Sequence, residues 1–345
     1  MRLAAKNGEA HYCKIRDIGR KTMGKTKRAG FFKKIMAAQE LSALIPLIIM
    51  TIVSTIIQPA FLSLTNIFDI LRSASFNFIL AIPLTFLMSA CQMDLSIGAT
   101  TAFGGVITAI AAVNGIPLVF AILLGLLAGS AVGFMNGILV VKCGLPGFIS
   151  TMGMQYAING LISVITGNNS ILGLSEAFKA IAQTRIFGNL SLVVIYALVL
   201  GVLGHILLKR MKYGRNVLAV GGNRETAYLS GINPDKIHIQ LYTAVGFFAA
   251  VTGILYASRF SSAQINAGQG TELTIMASVI IGGTSMFGGS GTVIGSLLGT
   301  ILFAMITNAL IVMEVSTFWQ KVVFGAILIL ALFIDKYRRS KSAGE

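Results

Sequence analysis

Ten apolar runs dominate this chain, at about 41–58, 70–92, 96–113, 117–141, 147–166, 189–208, 237–259, 272–286, 291–313 and 317–335. Most are close to the ~20 residues that a helix needs to cross the hydrocarbon of a bilayer. Short hairpins separate many of them, several marked by Gly or Pro, as in Gly115-Ile116-Pro117 and Gly144-Leu145-Pro146. Only 11% of residues are charged while 55% are hydrophobic; a soluble domain carries about 25% charged residues. Too few polar side chains exist to cover a water-facing surface, so lipid must cover most of it. The same numbers exclude disorder, collagen and coiled coil. The expected fold is all-α: a polytopic membrane protein with about ten transmembrane helices, occupying 41–335 between a basic tail at 1–40 and a short tail at 336–345.

The net charge of +15 suggests a nucleic-acid binder until it is mapped. Eleven of the 27 Lys and Arg lie in residues 1–34, six between Lys209 and Lys236, and four between Lys336 and Lys341. They sit at the edges of apolar runs, which is the positive-inside pattern, and no nucleic acid is expected. With ten spans, both termini, Lys142 and the 209–236 connection share one face, which then holds 22 of the 27 basic residues. Moving one span in the middle would put whole basic blocks on the wrong face. Both ends are therefore expected in the cytoplasm. The basic N-terminal region is too long for a cleaved signal peptide, and the apolar run after it lacks a small-residue cleavage pattern.

Within the tail, Gly19-Arg20-Lys21-Thr22-Met23-Gly24-Lys25-Thr26 matches the phosphate-loop pattern G-x-x-x-x-G-K-[ST]. That loop works between a buried strand and a helix, and neither is expected here, so the match reads as chance and no ATPase is assigned to this chain. Three cysteines (Cys13, Cys91, Cys143) have no paired spacing, and three histidines (His11, His205, His238) are far apart. No disulfide framework, metal site, cofactor or catalytic group is expected.

Polar groups inside the spans are few. A carboxylate deep in a helix costs about 2.5–3.5 kcal/mol. Asp94 follows an apolar run, and the stretch reads either as a helix break lining a pathway or, the preferred reading, as an N-cap, with Asp94 or Ser96 beginning the next helix. Glu272 and Glu314, at expected helix ends, are read in the same way. Asn136, Asn159 and Asn308 lie inside apolar spans; such amides usually bond a neighbouring helix for about 1 kcal/mol, with a place on a polar-solute pathway as the other reading. Gly125, Gly129, Gly133 and Gly137 recur every four residues, as do Gly291, Gly295 and Gly299. Such ladders let backbones approach closely, here more readily inside the chain than between copies.

The halves of the chain carry hints of a repeat. Asn136-Gly-Ile-Leu-Val-Val resembles Asn308-Ala-Leu-Ile-Val-Met at a shift of 172, which lays spans two to five on spans seven to ten in inverted orientation. The glycine ladders align instead at a shift of 166.

The longest connection on the basic face, 209–236, is more than a linker. Asn223 can cap a short helix begun at Arg224, and Gly231 can end it in the left-handed region. From Gly214 to Ile232 this stretch resembles the ATPase-contacting loop of sugar-transport ABC permeases of the ribose/xylose/arabinose type, which carry a similar Gly-x4-Ala-Val-Gly-Gly-Asn…Ser-Gly-Ile string. Three further stretches agree in order: Asp94-Leu95-Ser96-Ile97-Gly98, Leu145 to Gly153, and Gly282 to Gly291 followed by Gly295, Gly299 and Asn308. The resemblance covers roughly 40–335.

That resemblance implies a type II ABC importer architecture in the bacterial cytoplasmic (inner) membrane. It implies a second permease copy (the same chain or a close paralogue), cytoplasmic ATP-binding subunits and an extracytoplasmic sugar-binding protein as partners. Gly222, Asn223, Arg224, Glu225, Ala227, Ser230 and Gly231 would form the ATPase-coupling segment. The competing class, an ion-coupled secondary transporter, needs ionisable groups at the bilayer midplane, and the sequence offers only Asp94 for that role.

Overall fold

A computed structural model describes residues 44–186, 189–316, 318–320, 322–327, 329–330 and 333. The basic tail 1–40, its phosphate-loop-like string and the tail 336–345 lie outside the described residues. Twelve helices run in chain order among those described. They are α1 (Leu44–Ile57), α2 (Leu64–Ser89), α3 (Ile97–Val113), α4 (Leu118–Val141), α5 (Gly147–Thr166), α6 (Glu176–Gln183), α7 (Leu192–Lys209), α8 (Lys212–Gly222), α9 (Arg224–Leu229), α10 (Pro234–Phe260), α11 (Thr271–Ile281) and α12 (Val293–Val312). Residues 318–320, 322–327 and 329–330 are helical as well. Six helices (α2, α4, α5, α7, α10, α12) are long and apolar enough to cross a membrane; α1, α3 and α11 are shorter and apolar.

The 27-residue α10 lies at the centre, packed on α4, α3 and α2. Lipid tails are as apolar as leucine, so these helices associate by close packing rather than by escape from water. Small residues make that packing dense. Gly129 and Gly133 on α4 lie against Gly246 and Ala250 or Tyr242 on α10, Gly137 lies against Ile239, and Gly125 lies against Thr108 and Gly104 on α3. In the second ladder, Gly291 meets Ser89, Gly295 meets Gly282, and Gly299 meets Ser278. Large apolar side chains on α4, α5 and α7 point outward, among them Leu127, Val164 and Val202. Such exposure suits a lipid-facing surface.

The expected span at 272–286 is shorter than the sequence suggests. α11 ends at Ile281; eleven residues rise only ~16 Å. Gly282 and Gly283 break it, because residues 282–292 form the turn that carries the chain to α12. Before α11, residues 261–270 are irregular, starting from a left-handed Ser261 (φ +56°), and Ala263 pairs with Ile171 in an isolated β-bridge. Residues 90–96 form a second irregular connection between α2 and α3. The 261–270 connection approaches the start of α3: a Cβ on Gly98 would strike the Gly268 carbonyl oxygen.

Outside the apolar layer, Ser175 caps α6 by accepting from the Phe178 amide, and Arg185–Ile186 pairs with Leu190–Ser191 as a small hairpin. The Ser258 hydroxyl on α10 holds this region by bonding the Lys179 carbonyl and the Ala182 amide, both at 2.9 Å. At the opposite end, one short helix was expected between α7 and α10 and two are present. The extra one, α8, carries Gly214, Gly221 and Gly222, which obscure a helix in sequence because glycine is about 1 kcal/mol worse than alanine in a helix interior. Here Gly221 is required by contact, since a Cβ would meet the Ser89 carbonyl oxygen.

Candidate functional site

Two polar centres stand out. The first is built on the irregular connection 90–96. Asp94 is fully buried, and its Oδ1 accepts from the Ser96 amide and the Ser96 hydroxyl, both at 2.7 Å. From α4, Asn136 Nδ2 donates to Ser96 Oγ at 2.8 Å and to Asp94 Oδ2 at 3.3 Å. Thr151 on α5 accepts from the Leu95 amide at 3.1 Å. Tyr242 on α10 donates to Gln92 Oε1 and to the Met93 carbonyl, at 3.0 and 3.1 Å. Three helices thus clamp a seven-residue break through hydrogen bonds, which low local dielectric strengthens.

Of the two residues read as the cap of α3, Ser96 occupies the N-cap position and Asp94 does not, so the capping reading holds for Ser96 and is corrected for Asp94. Asp94 instead shapes the turn before the cap with an Asx-type bond. Glu272 is not an N-cap either: Gly270 holds that position, because its φ of +81° suits glycine. Glu272 is buried at the second helical position, with Oε1 accepting from Gln155 Nε2 at 3.1 Å. Glu314 follows the end of α12 in the left-handed region (φ +57°) and is exposed; it closes a helix rather than opening one.

The amides divide. Asn308 on α12 and Asn66 on α2 exchange two hydrogen bonds, at 2.8 and 3.0 Å. Asn136 joins the Asp94 centre, and the half-buried Asn159 side chain bonds no other described residue. Sequence reading singled out Asn308 and Asn136 but not Asn66 or Gln155. Their partners lie 242 and 117 residues away, a separation that no local pattern signals.

The second centre is the α8–α9 segment. Asn223 caps α9 as expected: its side-chain oxygen accepts from the Thr226 amide at 2.9 Å. Gly231 adopts φ +81° just past the helix. Ser230 Oγ bonds back to the Thr226 carbonyl at 2.8 Å, and Ala227 is buried beneath the helix. Arg224 pairs with Asp235 at 2.6 Å. Arg224, Glu225, Tyr228, Asn233, Pro234 and Asp235 surround a surface hollow of about 420 Å³. Tyr228 and Leu229 are exposed. Burial pushes the Tyr213 hydroxyl above its ordinary pKa. The segment is tied inward at the α8 end, where Gly221 and Gly222 lie against Gly289, whose amide donates to the Ser89 carbonyl at 2.9 Å. One contact point therefore joins the end of α2, the turn before α12 and the α8–α9 segment.

A family described as branched-chain amino acid transport system / permease component matches residues 66–332. A ribose import permease protein of Bacillus subtilis is 34% identical over 307 residues, 88% of this chain and 94% of that one. The D-allose transport system permease protein of Escherichia coli is 34% identical over 291 residues, 84% of this chain and 89% of that one. The L-arabinose ABC transporter permease protein of Azospirillum brasilense is 30% identical over 287 residues, 82% and 83% respectively. No solved structure matches. Family match, relatives covered nearly end to end and a bundle of apolar helices agree: the chain belongs to the transport-system permease-component family, as a multi-pass membrane permease rather than an enzyme.

Proposed function

We propose that this chain is the membrane-spanning subunit of an ATP-binding cassette importer that moves a monosaccharide or similar polyol across the bacterial inner membrane. The similarity over 82–88% of its length to ribose, allose and arabinose permeases carries the reading. Two permease copies enclose the path, an extracytoplasmic binding protein delivers the sugar, and separate cytoplasmic subunits hydrolyse ATP. The 209–236 connection is the docking segment for those subunits. Its support is a stiff, doubly capped α9 with exposed Arg224, Glu225 and Tyr228, joined through Gly221 and Gly289 to α2 and the turn before α12. ATP-driven movement of this segment would then reach the spans as rigid bodies.

Ten spans with both termini cytoplasmic remain the proposed topology. An inverted repeat is part of it. The shift of 172 carries 64–89 to 236–261, 97–113 to 269–285 and 118–141 to 290–313, close to Pro234–Phe260, Thr271–Ile281 and Val293–Val312. The alternative shift of 166 leaves each of these helices several residues out of register.

The test of coupling uses Gly231→Val and Glu225→Arg in the assembled importer. A β-branched side chain is disfavoured at positive φ, and charge reversal adds repulsion where Glu225→Ala merely removes a contact. Uptake and solute-stimulated ATP hydrolysis should both fall while membrane insertion persists. Wild-type uptake and stimulation in both variants would remove 209–236 as the coupling element.

A further inference from the structure

One carboxylate inside the helix bundle has an oxygen that no described residue bonds. Glu272 is only 8% exposed; Oε1 accepts from Gln155, while Oε2 is buried and has no hydrogen-bond partner among the described residues. An unsatisfied buried acceptor costs about 1–3 kcal/mol, more if charged. A buried acceptor kept at that cost suits a ligand that can donate to it.

Its surroundings suit a solute. α3 begins at Ile97 and α11 at Thr271, and the two helix starts converge: Glu272 Oε2 would stand 2.5 Å from a Cβ on Gly98. Helix starts carry positive dipole ends, and broken helices are where membrane transporters build solute sites. Gln155 belongs to a polar row on α5, in which Thr151, Gln155, Asn159 and Ser163 recur every fourth residue of an otherwise apolar helix. Residues so spaced share one slowly drifting face. Thr151 is committed to the Leu95 amide, and Ser163 Oγ bonds back to the Asn159 carbonyl at 3.1 Å. Asn159 keeps its amide donors and acceptor unengaged by any described residue. Asn159 itself is only half-buried, and Tyr156, about 100° round the helix from Gln155, is 71% exposed. Lipid tails offer such amides no partner; a molecule dense in hydroxyls offers many.

We propose that Glu272, Gln155 and Asn159 form a hydrogen-bonding station for solute hydroxyls on the translocation path. Glu272 accepts through Oε2, and the two amides both donate and accept. The Gln155–Glu272 bond is the one that a hydroxyl exchanges on entering, so the Gln155 amide keeps a partner when no solute is present. This proposal rests on the chain being a sugar permease.

The test uses the full importer with its binding protein and ATPase subunits in liposomes, with radiolabelled D-ribose, D-allose, D-galactose and L-arabinose as probes. Gln155→Leu and Glu272→Ala should lower uptake of the transported sugar about tenfold, the scale of a hydrogen bond to a charged group. Stimulation of ATP hydrolysis by the binding protein should persist, which a merely misfolded variant would not allow. Glu272→Gln keeps shape and one acceptor, and should lose less. Independently, after removal of the native cysteines, Asn159→Cys should react with a hydrophilic thiol reagent faster than the buried Ile158→Cys, and the transported sugar should slow that reaction. If the wild type carries a sugar but Gln155→Leu, Glu272→Ala and Glu272→Gln carry it equally well, the station is wrong and the permease reading stands. A transported sugar that leaves Asn159→Cys labelling unchanged also overturns it. If the wild type carries none of the four sugars, the sugar reading fails, and the station falls with it.

Discussion

Replacing Gly133 by alanine strikes the α4–α10 contact where two backbones touch. A Cβ there would collide with the Tyr242 carbonyl oxygen and stand 3.0 Å from the Gly246 nitrogen. One turn away, a Cβ on Gly129 would stand 2.6 Å from both the Gly246 carbonyl oxygen and the Ala250 methyl. Carbon contacts are comfortable at roughly 3.5–4.0 Å, and a gap of 0.5–1 Å forfeits about a quarter to a half of each contact's attraction. Neither obstacle is a side chain that can swing aside, so the helices must part by about 1 Å along their crossing. Overpacking of this kind costs about 1–3 kcal/mol, and the better helix propensity of alanine offsets at most about 1 kcal/mol. The matched control is on α5, where Gly153→Ala and Gly160→Ala meet open space and should be neutral or slightly stabilising. Thermal unfolding of the detergent-purified protein should show Gly129→Ala and Gly133→Ala lowered by a few degrees and the two controls unchanged. Equal melting of all four variants and the wild type would refute the claim that backbone proximity sets the stability of this crossing. So would a fall at Gly153→Ala as large as that at Gly133→Ala.

Asp94→Ala leaves the Ser96 amide, the Ser96 hydroxyl and one bond of Asn136 without their acceptor, so a loss of about 2–4 kcal/mol is expected; Asp94→Asn keeps an acceptor and should lose far less, read by the same unfolding assay. The Asn66–Asn308 exchange should give a coupling energy of about 0.6–1.7 kcal/mol in a double-mutant cycle to alanine, and additive single effects would show that the pair is not coupled. Asn223→Ala removes the α9 cap and should cost about 0.5–2 kcal/mol locally, seen as faster amide exchange confined to 224–230. A cysteine at Thr226 should be shielded from an impermeant reagent in intact cells while one at Lys179 labels; the reverse result would invert the proposed topology.

Periodicity and charge make the helices legible from sequence, since a lipid solvent leaves few alternatives to a spanning helix. The span expected at 147–166 and the helix Gly147–Thr166 coincide because Pro146 and Gly167 bound it. Asn223 and Gly231 were legible for the same local reason: a cap and a positive φ each demand a residue type. What escaped is what depends on distant partners. Sequence alone extends α11 past Ile281, because Gly282, Gly283 and Met286 continue an apolar pattern that the turn to α12 interrupts. Asp94 and Glu272 sit near helix starts, so capping was the local reading, yet each is fixed by a residue on another helix: Asn136 for one and Gln155 for the other. That Glu272 Oε2 has no hydrogen-bond partner among the described residues has no signature in sequence at all.

The most direct measurement is uptake of labelled sugar into liposomes holding this chain with its cytoplasmic ATPase subunits and binding protein. The energy source is varied while everything else is fixed. Uptake that requires ATP and the binding protein together, and that is indifferent to proton or sodium gradients, is the expected result. Uptake by this chain alone, driven by an ion gradient without ATP, would contradict it.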